Sequence, residues 1–111
     1  MLTINGSTIR LTRGDSAIIE ITLAYQDGTA FKPERGDEIR FALKKNYADS
    51  KTLLKIEVPT EELPLLLRFR PSDTKRLDYG SYKYDLQLTR ADGTVDTFID
   101  RATFIVTEEV E

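Results

Sequence analysis

Three aspartates near the C-terminal end are the residues whose type and spacing first suggest metal chemistry. Asp92, Asp96 and Asp100 recur at every fourth position, and calcium prefers to be bound by several carboxylate oxygens. The chain lacks the Asp-x-Asp-x-Asp pattern of a calcium-binding loop, and aspartates on solvated strand edges explain the same spacing. We therefore expect no metal site, with a calcium site on these carboxylates as the alternative.

Groups that could carry out catalysis are scarce. The chain has no histidine and no cysteine, which removes the usual general base, the usual metal ligand, thiolate nucleophiles and disulfides. A serine or threonine nucleophile would need a lysine base, and a pair of catalytic carboxylates would need a cleft. No sequence pattern indicates either arrangement, so we expect no enzyme and no cofactor.

One short motif with a known binding role in other proteins occurs twice. Arg-Gly-Asp occurs at 13–15 and at 35–37, and exposed copies of this tripeptide can bind integrins. Each copy directly precedes a predicted strand, and glycine and aspartate are the residues that tight turns favour. We therefore interpret both copies as turns that lead into strands.

The charge of the chain argues against nucleic acid as a partner. The formal net charge is −3, whereas nucleic-acid binders usually present a strongly basic face. The densest basic stretch comprises Arg68, Arg70, Lys75 and Arg76, and Tyr79 follows it. This stretch is a candidate interaction surface for a polyanion or an acidic subunit, and a solvated strand face is the alternative.

The tyrosines suggest a second kind of binding. Tyr25, Tyr79, Tyr82 and Tyr84 could form an aromatic platform for a sugar. Alternation along the strand places Tyr82 and Tyr84 in the core, so only Tyr79, Tyr25 and Tyr47 remain as candidates for an exposed platform.

The elements that must position these residues are predicted by hydrophobic alternation with period two, which is typical of strands with one wet face. The clearest strands are predicted over 17–25, 38–44, 54–58, 65–69, 81–89 and 94–107. The predicted core contains Ile19, Ile21, Phe41, Leu43, Ile56, Tyr84, Leu86 and Phe104.

Local breaks in this pattern predict the connections. Asp27-Gly28 and Asp92-Gly93 favour tight reversals, and the segment 72–77 allows one helical turn with Ser72 as its cap. In the last strand the apolar residues change parity, which predicts a β-bulge near Asp100 and Arg101.

Together these elements predict one all-β domain over residues 1–111, an antiparallel sandwich of about seven or eight short strands. A barrel is the alternative. The first ten residues lack the basic and apolar regions of a secretory signal, and no apolar run is long enough to span a bilayer. We expect synthesis in the cytosol and no membrane partner.

The segment 77–84 combines a short helical turn, a glycine and inward-facing aromatics. It resembles the tyrosine corner of the immunoglobulin fold, in which a tyrosine at the start of strand F bonds to the backbone upstream. On that resemblance Asp78, Gly80 and Tyr82 match the family pattern, and Tyr84 stands where antibody domains have their second cysteine. The resemblance implies an immunoglobulin-like sandwich with Greek-key connections.

Stretches spread over nearly the full length carry a second resemblance. They are 13–15 ahead of an alternating strand, 36–44, 80–88, and 92–94 leading to 103–106. The pattern is similar to small β-sandwich proteins of tail and baseplate regions in phages and prophages of Gram-positive bacteria, including the N-terminal domain of baseplate upper proteins. It implies a virion structural module whose surfaces bind other tail subunits. We expect the module to be monomeric or weakly homo-oligomeric and to offer sheet surface or a strand edge to those subunits. The alternative is an immunoglobulin-like accessory or carbohydrate-binding domain of a bacterial protein.

Overall fold

Eight strands and one short helix account for the regular structure of a computed structural model that describes residues 2–5, 7–25 and 27–108. The predicted domain also includes residues 1, 6, 26 and 109–111, which lie outside the described residues. In chain order the elements are β1 (Leu2–Asn5), β2 (Thr8–Thr12), β3 (Ala17–Ile21), β4 (Glu38–Lys44), β5 (Leu54–Val58), β6 (Leu65–Phe69), α1 (Pro71–Lys75), β7 (Gly80–Thr89) and β8 (Val95–Thr107).

The strands form two sheets of very different width. The large sheet has six strands in the order β1-β2-β8-β7-β4-β5, and the small sheet contains β3 and β6 alone. All pairs are antiparallel except β2 and β8, which run parallel. The all-β prediction is therefore confirmed, whereas the prediction of purely antiparallel pairing is wrong for this pair. β2 and β8 come from opposite ends of the chain, so no hairpin forces them to run in opposite directions.

Tight reversals occur at both predicted Asp-Gly sequences. Gly93 has φ of +91° between β7 and β8, and the Thr94 amide donates to Asp92 Oδ1 at 2.9 Å. Gly28 has φ of +89°, and the Thr29 amide donates to Asp27 Oδ1 at 2.8 Å. The side-chain acceptor and the left-handed glycine are what these turns require.

The predicted β-bulge is present in β8. Tyr84 pairs with Ala102 and Leu86 pairs with Ile99, so Asp85 alone lies opposite two residues, Asp100 and Arg101. Arg101 has φ of +56°, the left-handed conformation that the extra residue of a bulge often takes. A second irregularity follows between Leu86 and Gln87, which the sequence pattern did not indicate.

The core lies between the two sheets around four packed aromatic rings. Phe41 contacts Phe69, Tyr84 and Phe104, with ring centroids 5.2 to 6.0 Å apart. Of the predicted core residues, those from β4, β7 and β8 are buried: Phe41, Leu43, Tyr84, Leu86 and Phe104.

Three predicted core residues, Ile19, Ile21 and Ile56, are only partly buried, although they pack against the core. The prediction of their facing was right and the prediction of full burial was wrong. β5 is the last strand of the large sheet, and β3 has β6 as its sole strand neighbour among the described residues. Among the described residues, each of these two strands has a neighbouring strand along one edge only.

No helix of the described chain has the length and apolar character needed to cross a membrane.

Candidate interaction edge

β3 has one paired side and one open side. It pairs with β6 through all five residues, from Ala17 opposite Phe69 to Ile21 opposite Leu65. No second strand pairs with β3 in the part of the chain that the structure describes. The open side therefore presents backbone N–H and C=O groups to which another strand can add.

An apolar gap lies beside this open edge, and we call it the β3 gap. Its volume is about 330 Å³. One wall is formed by β3, the two residues that follow it and one residue of β6, and the large sheet supplies the opposite wall. The residues of the first wall are Ile19, Glu20, Ile21, Thr22, Leu23 and Leu67. The lining residues from the large sheet and its first turn are Ser7, Ile9, Phe41, Tyr84, Leu86 and Ile99.

The gap exists because the small sheet is too narrow to cover the large one. Neighbouring strands lie about 4.8 Å apart, so a two-stranded sheet spans a small part of the width of six strands. Near one end of β2, the space between the sheets is closed by α1 and the turn after it. The contact there is a hydrogen bond from the Gly14 amide to Thr74 Oγ1 at 2.9 Å. Beside the middle of β3 the gap remains open, and this explains the partial burial of Ile19 and Ile21.

The outer face of β3 carries one apolar and one charged residue. Ile18 is 55% exposed, and Glu20 is exposed two residues further on. β3 contains neither lysine nor proline, two residues with which natural proteins often block an open edge. Glu20 is its one charged residue. The opposite strand β6 is preceded directly by Pro64 and followed closely by Pro71. Of the two edge strands of the small sheet, β3 is thus the one without a flanking proline.

The tyrosine-corner residues lie at the start of β7. The Tyr82 ring is buried, and its hydroxyl donates to the Asp78 carbonyl oxygen at 2.7 Å, the bond predicted from the sequence. Gly80 begins the strand with φ of +134°. Burial raises the pKa of Tyr82, and the charge of Asp78 raises it further.

Tyr84 connects the core to the first turn of the chain. Its hydroxyl donates to the Ser7 carbonyl oxygen, and its buried ring stacks on Phe41. Burial raises the pKa of this phenol. The hydrogen bond holds the 7–9 segment against one end of the β3 gap.

The residues of the predicted basic surface have varied surroundings. Arg68 is exposed on β6, and Lys75 is exposed in α1. Arg70 pairs with Asp73 at 3.6 Å, and Arg76 Nη2 donates to the Leu53 carbonyl oxygen at 2.8 Å. Tyr79, which is 42% exposed, lies under the Arg13 guanidinium at 4.5 Å. Arg70 and Arg76 thus have structural contacts, and a role in binding stays a prediction.

The other exposed tyrosines each contact a different arginine. The Tyr25 hydroxyl accepts a hydrogen bond from Arg90 at 3.1 Å, and the Tyr47 ring lies 4.7 Å from Arg101. These contacts belong to different loops from that of Tyr79. The described contacts therefore do not assemble a shared sugar platform.

The acidic residues do not form a metal site in the described part of the chain. No group of three or more potential ligands lies close enough together there to hold one metal ion. Asp92 caps its own turn through Thr94, and Asp100 pairs with Arg101 at 3.2 Å. An open cleft of about 830 Å³ beside β4 and β5 carries Glu34, Glu57 and other exposed residues. A cluster of carboxylates alone does not define a ligand.

Both Arg-Gly-Asp sequences form turns, with φ of +84° at Gly14 and +90° at Gly36. In the second copy Asp37 is buried and accepts hydrogen bonds from the Glu34 amide at 2.8 Å and Arg90 Nη1 at 3.1 Å. This aspartate is therefore not available to a receptor. The contact between Asp37 and Arg90 was not predicted from the sequence, because the two residues are 53 positions apart.

In comparisons with known proteins, no family model matches the chain and no curated protein matches it.

Proposed function

We propose that the protein is a non-catalytic interaction module and that it serves as a structural component of a phage or prophage tail or baseplate. The observation that carries the first part is the open β3 edge beside an apolar gap. Open edges of this kind are usually blocked in proteins that do not use them. The phage assignment rests on the pattern of the whole chain described above.

We also propose an immunoglobulin-like arrangement of the sandwich. In that fold strands C, F and G are neighbours in one sheet, and strands B and E are neighbours in the other. The neighbours β4, β7 and β8 match the first set, and β3 and β6 match the second. The bond from Tyr82 to Asp78 supports the same assignment. The parallel β2–β8 pair is the departure from purely antiparallel pairing.

The function is tested by capturing a partner protein and identifying it. The tagged protein is co-expressed with the proteins encoded beside it, and captured proteins are identified by mass spectrometry. We expect stoichiometric recovery of a tail or baseplate protein. A charge-matched unrelated β-sandwich with the same tag serves as the control. Recovery of a tightly bound small molecule, or hydrolytic activity that survives purification, would contradict the proposal.

A further inference from the structure

We infer that the β3 edge accepts one extended strand from a partner chain, with alternate apolar side chains in the β3 gap and a basic residue facing Glu20. This inference rests on the proposed interaction function and names the surface and the chemistry of the partner.

The backbone of β3 determines the conformation of the occupant. Five paired residues make an edge about 17 Å long at roughly 3.4 Å per residue. A bound strand would exchange backbone hydrogen bonds with alternate residues of this edge, as in other cases of strand addition. A helix or a compact loop could not satisfy these groups in series.

The gap determines which side chains point inward. Its lining is mainly aliphatic and includes Ile9, Ile19, Ile21, Leu86 and Ile99. Successive side chains of a strand alternate between faces, so residues i, i+2 and i+4 of the occupant would enter the gap. Valine, isoleucine or leucine suits these positions, and their burial would also complete the burial of Ile19 and Ile21.

The outer face determines the charge of the occupant. Glu20 is exposed on β3, and a directly opposite lysine or arginine stabilises a cross-strand pair whereas an acidic residue destabilises it. Ile18, exposed on the same face, favours a neighbour with an apolar stem.

The sheet arrangement favours a single strand over a second copy of the whole domain. In immunoglobulin-like sheets strand A lies beside strand B, but here β1 and β2 lie in the large sheet and leave the position beside β3 vacant. A second copy joined through its own β3 would also bring its six-stranded sheet toward the same side. A single extended segment needs only the vacant position.

The test uses the whole purified protein and a synthetic peptide, acetyl-Ser-Val-Lys-Val-Thr-Val-Ser-amide, with a fluorescent label. Binding is measured by anisotropy, and its position by amide hydrogen exchange. We expect saturable binding and new protection within 17–21. Two control peptides are a scrambled one without alternation and one with N-methylated alternate amides, and both should bind at least about tenfold more weakly.

A charge-reversal pair tests the predicted orientation. Glu20→Lys should weaken binding of the lysine peptide about two- to fivefold, the size expected for one exposed ion pair, and a peptide with glutamate in place of lysine should recover it. Glu57→Lys is the matched control, because Glu57 is exposed on β5 at the far edge of the large sheet. It should leave binding unchanged.

Several outcomes would overturn the inference. They are no saturable binding at millimolar peptide, equal binding of the scrambled or N-methylated peptide, and protection outside β3. Concentration-dependent protection of 17–21 without peptide, with a dimer in analytical ultracentrifugation, would show that a second copy occupies the edge. If a tail or baseplate protein is captured but excess peptide does not displace it, the edge inference fails while the interaction function stands.

Discussion

The Tyr82 hydroxyl donates a hydrogen bond at 2.7 Å to the carbonyl oxygen of Asp78, a residue of the connection between α1 and β7. The ring is buried against the core, so this bond satisfies a polar group that water does not reach freely. It also fixes the point at which the chain leaves the short helix and enters the central strand of the large sheet.

Replacement of Tyr82 by phenylalanine tests this bond. Tyr82→Phe should lower the free energy of unfolding by about 0.5–1.5 kcal/mol, the usual net contribution of one hydrogen bond, measured by urea denaturation. Tyr47→Phe is the control, because Tyr47 is 58% exposed and should change stability little. Equal stability of Tyr82→Phe and the wild type would argue against a structural role for the bond.

Stability at alkaline pH should depend on the same tyrosine and on Tyr84. Burial raises the pKa of both phenols, so the folded state retains their protons at a pH where the unfolded chain loses them. Their contribution is therefore fully present below about pH 10, the ordinary tyrosine pKa, and is lost as the pH rises through the folded values. Thermal melts between pH 8 and 11 should show this decline, and Tyr82→Phe should make it shallower. An unchanged slope in both Tyr82→Phe and Tyr84→Phe would contradict this linkage.

Local features of the fold could be predicted because they depend on neighbouring residues. Alternation identified the inward face of β4 and β7, and the parity change in the last strand located the bulge at Arg101. The bond of Tyr82 followed from a local motif in the same way. Each of these features depends on chain conformation within a few residues.

Non-local features could not be predicted from the same patterns. The parallel pairing of β2 with β8 joins the two ends of the chain, and period-two alternation is the same for either strand direction. The sequence predicted a strand edge for binding but not which strand provides it, for a related reason. Ile19 and Ile21 have the pattern of a covered strand, and only the strand order shows that β3 has a vacant side.

Gly36 should tolerate substitution less well than another glycine of similar conformation. A Cβ on Gly36 would lie 2.8 Å from the Ala91 Cβ, whereas a Cβ on Gly28 would meet nothing within 4 Å. Both residues have φ near +90°, so each alanine variant carries a left-handed penalty of about 1–2 kcal/mol. Gly36→Ala should therefore lower the free energy of unfolding more than Gly28→Ala does, because it alone adds a close contact with Ala91. Chemical denaturation measures both losses. Equal losses would show that the 35–37 turn moves away from Ala91 without cost.

The buried Asp37 carboxylate should be the strongest polar contact between the 33–37 turn and the end of β7. Its side chain is 2% exposed and lies 3.1 Å from Arg90, and it also accepts the Glu34 amide. Asp37→Ala should lower the free energy of unfolding by about 1.5–3 kcal/mol, because it removes the charged acceptor of hydrogen bonds from the Glu34 amide and from Arg90. Asp37→Asn keeps an acceptor for the Glu34 amide and should cost less. Glu38→Ala, at the exposed neighbouring position, is the matched control. A double-mutant cycle with Arg90→Ala measures the coupling, and additive losses would show that the ion pair contributes nothing beyond the turn itself.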